Sequence, residues 1–173
     1  MIRIFMGAVL LLAGTSAYCQ TLNLGEFSRV LQELIEAAGG NFSNLRAETA
    51  HRDEKGTSTS WRSLIQIAGA DVTIYRNFAT IRISRYSDAA AARSGYQNTV
   101  KLVRATLPPE WKPTGDAIRK GDGGVEIGRA TFQRGNLDPR VWVSYTGTPT
   151  TGVVTVNVGN TPPRGKGEKK PSG

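Results

Sequence analysis

Two stretches with a helical apolar period, each followed by runs that alternate every second residue, constrain this chain more than any other feature. In residues 24–38, Phe27, Val30, Leu31, Leu34, Ile35 and Ala38 recur at three- and four-residue steps, which lines one face of a helix. Glu26, Arg29, Glu33 and Glu36 fall off that stripe, toward solvent. Asn23 suits the N-cap, and Gly39-Gly40 stops the helix. Ser87-Asp88 opens a second helix with the stripe Ala89, Ala92, Tyr96, Val100, Val103 and Leu107, and Pro108-Pro109 ends it.

Behind the first helix, residues 48–60 are rich in charge, Thr, Ser and Gly and read as an exposed loop. Three alternating runs follow, at 61–67, 72–76 and 79–85. Behind the second helix, residues 110–124 read as a loop anchored by Trp111, and three further runs occupy 125–134, 140–145 and 153–158. This order predicts an α+β fold with a duplicated αβββ-αβββ pattern: a six-stranded antiparallel sheet with two helices on one face. The halves, about 24–85 and 87–158, repeat a pattern with negligible residue identity. The expected core is Phe27, Val30, Leu31, Leu34, Ile65, Ile67, Ile81, Ile83, Tyr96, Val100, Val103, Val141, Val143, Val154 and Val156. The run at 153–158, last in the chain, is expected at an open sheet edge. The element order resembles that of duplicated α+β binding modules such as the β-lactamase-inhibitor-like and secretion-chaperone-like folds. That likeness is one of architecture and transfers no residue roles.

The two ends read differently from the middle. Arg3, an apolar run over 4–13 and small residues after it have the three-part pattern of a secretory signal, expected over 1–19. The run is too short for a bilayer span, which needs about 20 apolar residues. Ala17 and Cys19 place small residues at −3 and −1 of a cut before Gln20; a cut after Ala17 is the alternative. A lipid anchor on Cys19 is opposed by bulky Tyr18. Export to the periplasm or the exterior is the expected localisation, with one α+β domain over 20–160. Residues 161–173 have no large apolar side chain and read as a disordered basic tail. Such a tail solubilises, and its contacts with anionic surfaces are weak and salt-screened.

Composition removes several classes of chemistry. A chain of 173 residues with 39% hydrophobic and 21% charged residues is neither disordered throughout nor short of core. One Cys excludes a disulfide scaffold and a multi-Cys metal site, and one His excludes a multi-His site. No metal and no cofactor is therefore expected. The net charge is +8, but half of it disappears once Arg3 and the tail are set aside. That modest remainder argues against nucleic acid as the partner.

Serine catalysis wants a base, and His51, the single His, sits among charges. Gly-x-Ser-x-Gly and Ser-x-x-Lys spacings are both absent. Asp53 and Glu54 are adjacent, so on an extended chain they diverge. Asp116, Asp122 and Glu126 gather in and after the 110–124 segment, and a small secreted hydrolase working through them is the alternative function. The spacing of Asp116 and Asp122 is not that of a calcium loop. Gly121-Asp-Gly-Gly124 leads into a strand rather than a helix, which fails the requirement of a phosphate loop. Asn41-Phe-Ser43 fits a glycosylation sequon without establishing one.

The period-2 runs also define a face away from the helices, expected to show Arg62, Gln66, Thr73, Tyr75, Arg82, Ser84, Trp142, Ser144, Thr155 and Asn157. Arginine and aromatic side chains dominate binding energy at interfaces. Arg62, Tyr75, Arg82 and Trp142 are accordingly the expected ligand- or partner-binding residues. The expected function is a non-catalytic binding module, exported, for a protein or glycan partner.

Overall fold

The computed structural model describes residues 23–52, 59–135 and 139–160. The expected signal and basic tail lie outside the described residues, as do Asp53 and Glu54.

Helix α1 spans Leu24–Ala37. The Asn23 side chain accepts from the N–H groups of Gly25 at 2.9 Å and Glu26 at 3.2 Å, satisfying donors that the first turn leaves orphaned. Phe27, Val30, Leu31 and Leu34 are fully buried. Two short 3-10 segments follow, Ala38–Gly40 and Ser43–Leu45. Between them Asn41 and Phe42 both hold left-handed backbone, at φ 53° and 59°. For Phe42 that conformation costs roughly 1–2 kcal/mol, and complete burial of its ring offsets the cost.

The first half continues as β1 (Arg46–Arg52), β2 (Thr59–Ser63), β3 (Asp71–Tyr75) and β4 (Phe78–Tyr86). Helix α2 (Ala89–Thr106) is capped by Asp88, which accepts from the Ala91 N–H at 2.8 Å. The second half is β5 (Lys112–Lys120), β6 (Glu126–Gln133), β7 (Arg140–Thr148) and β8 (Thr151–Gly159). All pair antiparallel in one sheet of order β1-β2-β3-β4-β8-β7-β6-β5.

The sheet thus has eight strands, not six, and the repeat is αββββ rather than αβββ. Both unexpected strands are edges. Strand β5 is exposed along its whole length and β1 along most of it. A strand with neither face buried shows no apolar alternation, so segments 48–60 and 110–124 read as loops. The order also corrects the place of 153–158. Strand β8 is central, paired with β4 on one side and β7 on the other. The last strands of the two halves meet, and the edges belong to the first strand of each.

Both helices cover the same face. Helix α2 lies over β7 and β8, and α1 reaches β8 beside it. At Gly152 the approach is so close that a Cβ would overlap the Ala92 methyl. Between helices and sheet sits one apolar cluster, including Val141, Val143, Val154, Val156 and Val158. Every expected core residue belongs to it or packs against it; Ile65, Ile83 and Val100 are the partly buried ones. Among the described residues no helix is long and apolar enough to cross a membrane.

Candidate binding face

Residues directly opposite in an antiparallel ladder point to the same side. Arg62 pairs with Thr73, Thr73 with Thr80, Thr80 with Asn157, Asn157 with Trp142 and Trp142 with Thr131. This row crosses six strands on the helix-free side. Beside it runs Asp71, Arg82, Thr155, Ser144 and Arg129. Tyr75 pairs with Ser60, in step with Arg62 two residues away. Arg62, Tyr75, Arg82 and Trp142 therefore share the face, as the period-2 pattern predicts.

Two of the expected face residues stand elsewhere. A bulge between Arg82 and Ser84 shifts the phase of β4, so Ser84 pairs with Val154 on the helix side. Gln66 lies past the end of β2, where its side-chain amide donates to the Ser63 carbonyl at 2.7 Å.

The four candidates play different parts. Arg62 and Arg82 reach solvent, each beside one exposed carboxylate: Arg62 with Glu48 at 3.0 Å and Arg82 with Asp71 at 3.5 Å. Such exposed pairs are weak and exchangeable. Tyr75 stacks on Phe78 across its hairpin, with ring centroids 4.4 Å apart and planes 10° from parallel. The Phe78 ring stands 6.2 Å from that of Trp142. Trp142 is fully buried, although it stands outside the cluster under the helices. It is the floor of this face, not a ring offered to a ligand. Next to it Asn157 accepts from the Thr80 hydroxyl at 2.8 Å and donates to the Thr155 hydroxyl at 3.1 Å and the Trp142 carbonyl at 3.3 Å. The middle of the face is therefore a polar, hydrogen-bonded seam.

Charge is unevenly divided between the two sides. Arg62, Arg82 and Arg85 stand on the helix-free side of the first half. Lys112, Arg119, Arg129 and Arg140 stand on that side of the second. Glu48 and Asp71 are the carboxylates of the described residues that stand with them. Where β3 begins, opposite Arg82, the sheet has a notch: β4 continues to Tyr86 but pairs there only with β8. The notch is a depression of about 390 Å³ lined by Gly69, Ala70, Asp71, Arg82, Ile83, Ser84 and Arg85.

Two of the three acidic candidates, Asp116 and Glu126, lie on the other side, under α2. Asp116 accepts from the Tyr96 hydroxyl at 2.7 Å. Buried Glu126 accepts from the Tyr145 hydroxyl at 2.5 Å and from Arg93 Nε at 3.1 Å, and Arg93 Nη2 donates to its other oxygen. The two phenol rings pack with centroids 5.2 Å apart. A Cβ at Gly128 would overlap the Tyr145 ring, so the missing side chain makes its room. Asp116 pairs with Ala130, four residues along β6 from Glu126, which separates their backbones by roughly 13 Å. Asp122 is exposed in the turn Asp122–Gly124.

Electrostatics at this cluster follow the hydrogen bonds. The Arg93 guanidinium, and after it the Tyr145 hydroxyl, hold the Glu126 carboxyl down at about 2. Burial, then the bond to Asp116, pushes the Tyr96 phenol well above its ordinary value. Burial, then Glu126, raises Tyr145 in the same way. A general acid needs its pKa raised toward neutrality; Glu126 moves in the opposite direction. This arrangement ties α2 to β5, β6 and β7. Arg93 and Tyr145 are the residues that the sequence reading misses. Tyr96 and Tyr145 at buried positions were the available signal, because a buried phenol needs an acceptor nearby. His51 is exposed on β1, opposite Ser60. Among the described residues, no three His, Cys, Asp or Glu side chains come together as a metal-holding group.

No protein-family model matches this chain, and neither a curated protein nor a solved structure matches it.

Proposed function

We propose that this protein is a non-catalytic binding module that engages its partner, after export, through the helix-free face of the sheet. Arg62 and Arg82 are the accessible charged contacts. Tyr75 adds a ring edge braced by Phe78, and Trp142 keeps the floor rigid beneath them. The observation that supports this reading is the register, which brings all four to one side of the sheet. The weight of cations there adds a basis for recognition, because oriented charge steers and selects partners.

The test is a binding screen of the full chain against glycans and exported proteins, repeated with Arg62→Glu/Arg82→Glu. Lys101→Glu, exposed on α2, is the control. The double variant is expected to lose the partners that wild type and Lys101→Glu retain. Equal binding by all three proteins removes the sheet face from consideration.

A further inference from the structure

We infer that the notch at the bulged end of β4 is an anion subsite that takes the oxyanion of an acidic sugar residue, so that the ligand of the face is an anionic glycan. This rests on the reading of the sheet face as the binding surface and deepens it.

The bulge is the first argument. Residues three apart on a regular strand point to opposite faces. Arg82 pairs with Thr155 and Arg85 with Val153, because the extra residue, Ile83, resets the phase between them. Two arginines that a regular strand would place on opposite faces now line one depression of about 390 Å³. That size falls at the lower end of small-ligand pockets. Arg85 is exposed, and Arg82 meets an Asp71 whose side chain is itself 76% exposed. A competing oxyanion displaces that pair at little cost. Arginine forks bind carboxylate and sulfate through two parallel N–H bonds, so two arginines at one depression favour an oxyanion.

The rest of the face selects the polymer. A second copy laid face to face would set cations against cations. A protein partner wants an accessible apolar centre, whereas the centre here is Thr73, Thr80, Ser144, Thr155 and Asn157. Single-stranded nucleic acid wants open ring faces for successive bases, whereas here Trp142 is fully buried and Tyr75 and Phe78 stack on each other. The part-exposed hydroxyls of Thr73, Ser144 and Thr155 beside arginines suit a chain of sugars bearing acidic groups.

The experiment is calorimetric titration of the full chain with oligogalacturonate, a sulfated oligosaccharide of equal length, neutral dextran and a single-stranded oligonucleotide. Either acidic oligosaccharide is expected to bind and dextran not; the two arms tell carboxylate from sulfate. Arg82→Gln and Arg85→Gln should each weaken binding roughly tenfold, while Lys101→Gln leaves it unchanged. Amide shifts on titration should centre on residues 69–71 and 82–85, a readout that a folding defect does not mimic. Unchanged affinity in the Arg82→Gln/Arg85→Gln double variant overturns the subsite. If Arg62→Gln still weakens binding in that case, the sheet-face reading survives without the notch. Tighter binding of the oligonucleotide than of either acidic oligosaccharide overturns the glycan assignment.

Discussion

In the first half, the outer strand β1 lays a cation on a ring of its neighbour β2. The Arg46 guanidinium lies 4.0 Å over Trp61 and donates to the Asn41 carbonyl at 2.7 Å. In the second half, the outer strands are held by a polar cluster under α2, where Tyr96 donates to Asp116 on β5 and Tyr145 and Arg93 both donate to Glu126 on β6. The topology of the halves is the same; the chemistry that secures their margins is not. The Glu126 carboxyl, held low by Arg93 and Tyr145, gives the second half a pH dependence of its own. Duplicated architecture thus leaves each copy free to solve the same mechanical problem with different side chains.

The largest expected effect tests whether these halves are one unit at all. Leu34→Ala empties a fully buried site under α1 and should cost about 2–5 kcal/mol in urea unfolding. Because β4 pairs with β8 along nearly its whole length, probes in both halves should report one shared transition. Two separated transitions would show that the junction does not couple them.

A smaller effect sharpens the contrast. Tyr145→Phe removes a hydrogen bond to a charged group and should cost roughly 1.5–3 kcal/mol. The pH dependence has a definite sign. Glu126 titrates at about 2 in the folded chain against an ordinary 4.5. Its contribution is complete above pH 4.5 and is lost as pH falls toward 2. The raised phenols of Tyr96 and Tyr145 act oppositely: their contribution is complete below pH 10 and fades above it. A melting-temperature profile should therefore fall at both extremes. Glu126→Gln should flatten the acid limb, and hydrogen exchange at low pH should open β5 and β6 before β2 and β3. The smallest effect belongs to the other margin. Arg46→Ala should cost about 0.5–1 kcal/mol, with no change in the shape of the pH profile. An acid limb that changes with Arg46 rather than Glu126 would reverse the assignment of the two clamps.

Much of this fold is legible along the chain, and the unreadable parts have a common cause. Phe27 to Leu34 and Val154 to Val158 announce their elements because one side of each is buried, and burial imprints a period of 3.6 or 2. Lys112–Lys120 is silent because no side of it is buried. The shared side of Arg62, Tyr75, Arg82 and Trp142 follows from the same period of 2. The displacement of Ser84 does not, since an inserted residue leaves no mark that alternation can show. Arg85 joins Arg82 for that reason alone. The burial of Trp142 is equally hidden, because a ring on the face away from the helices reads as exposed until its surroundings are known.

The amino-acid sequence by itself determined the two helices, the alternating strands and most of their inward residues. Only the tertiary structure decided the central place of β8, the notch beside β4 and the meeting of Arg93, Glu126 and Tyr145. Local patterns record whether a segment has a buried side. They record nothing of which distant partner supplies the burial: Thr80 and Asn157, 77 residues apart, become neighbours through long-range pairing that neither segment encodes alone.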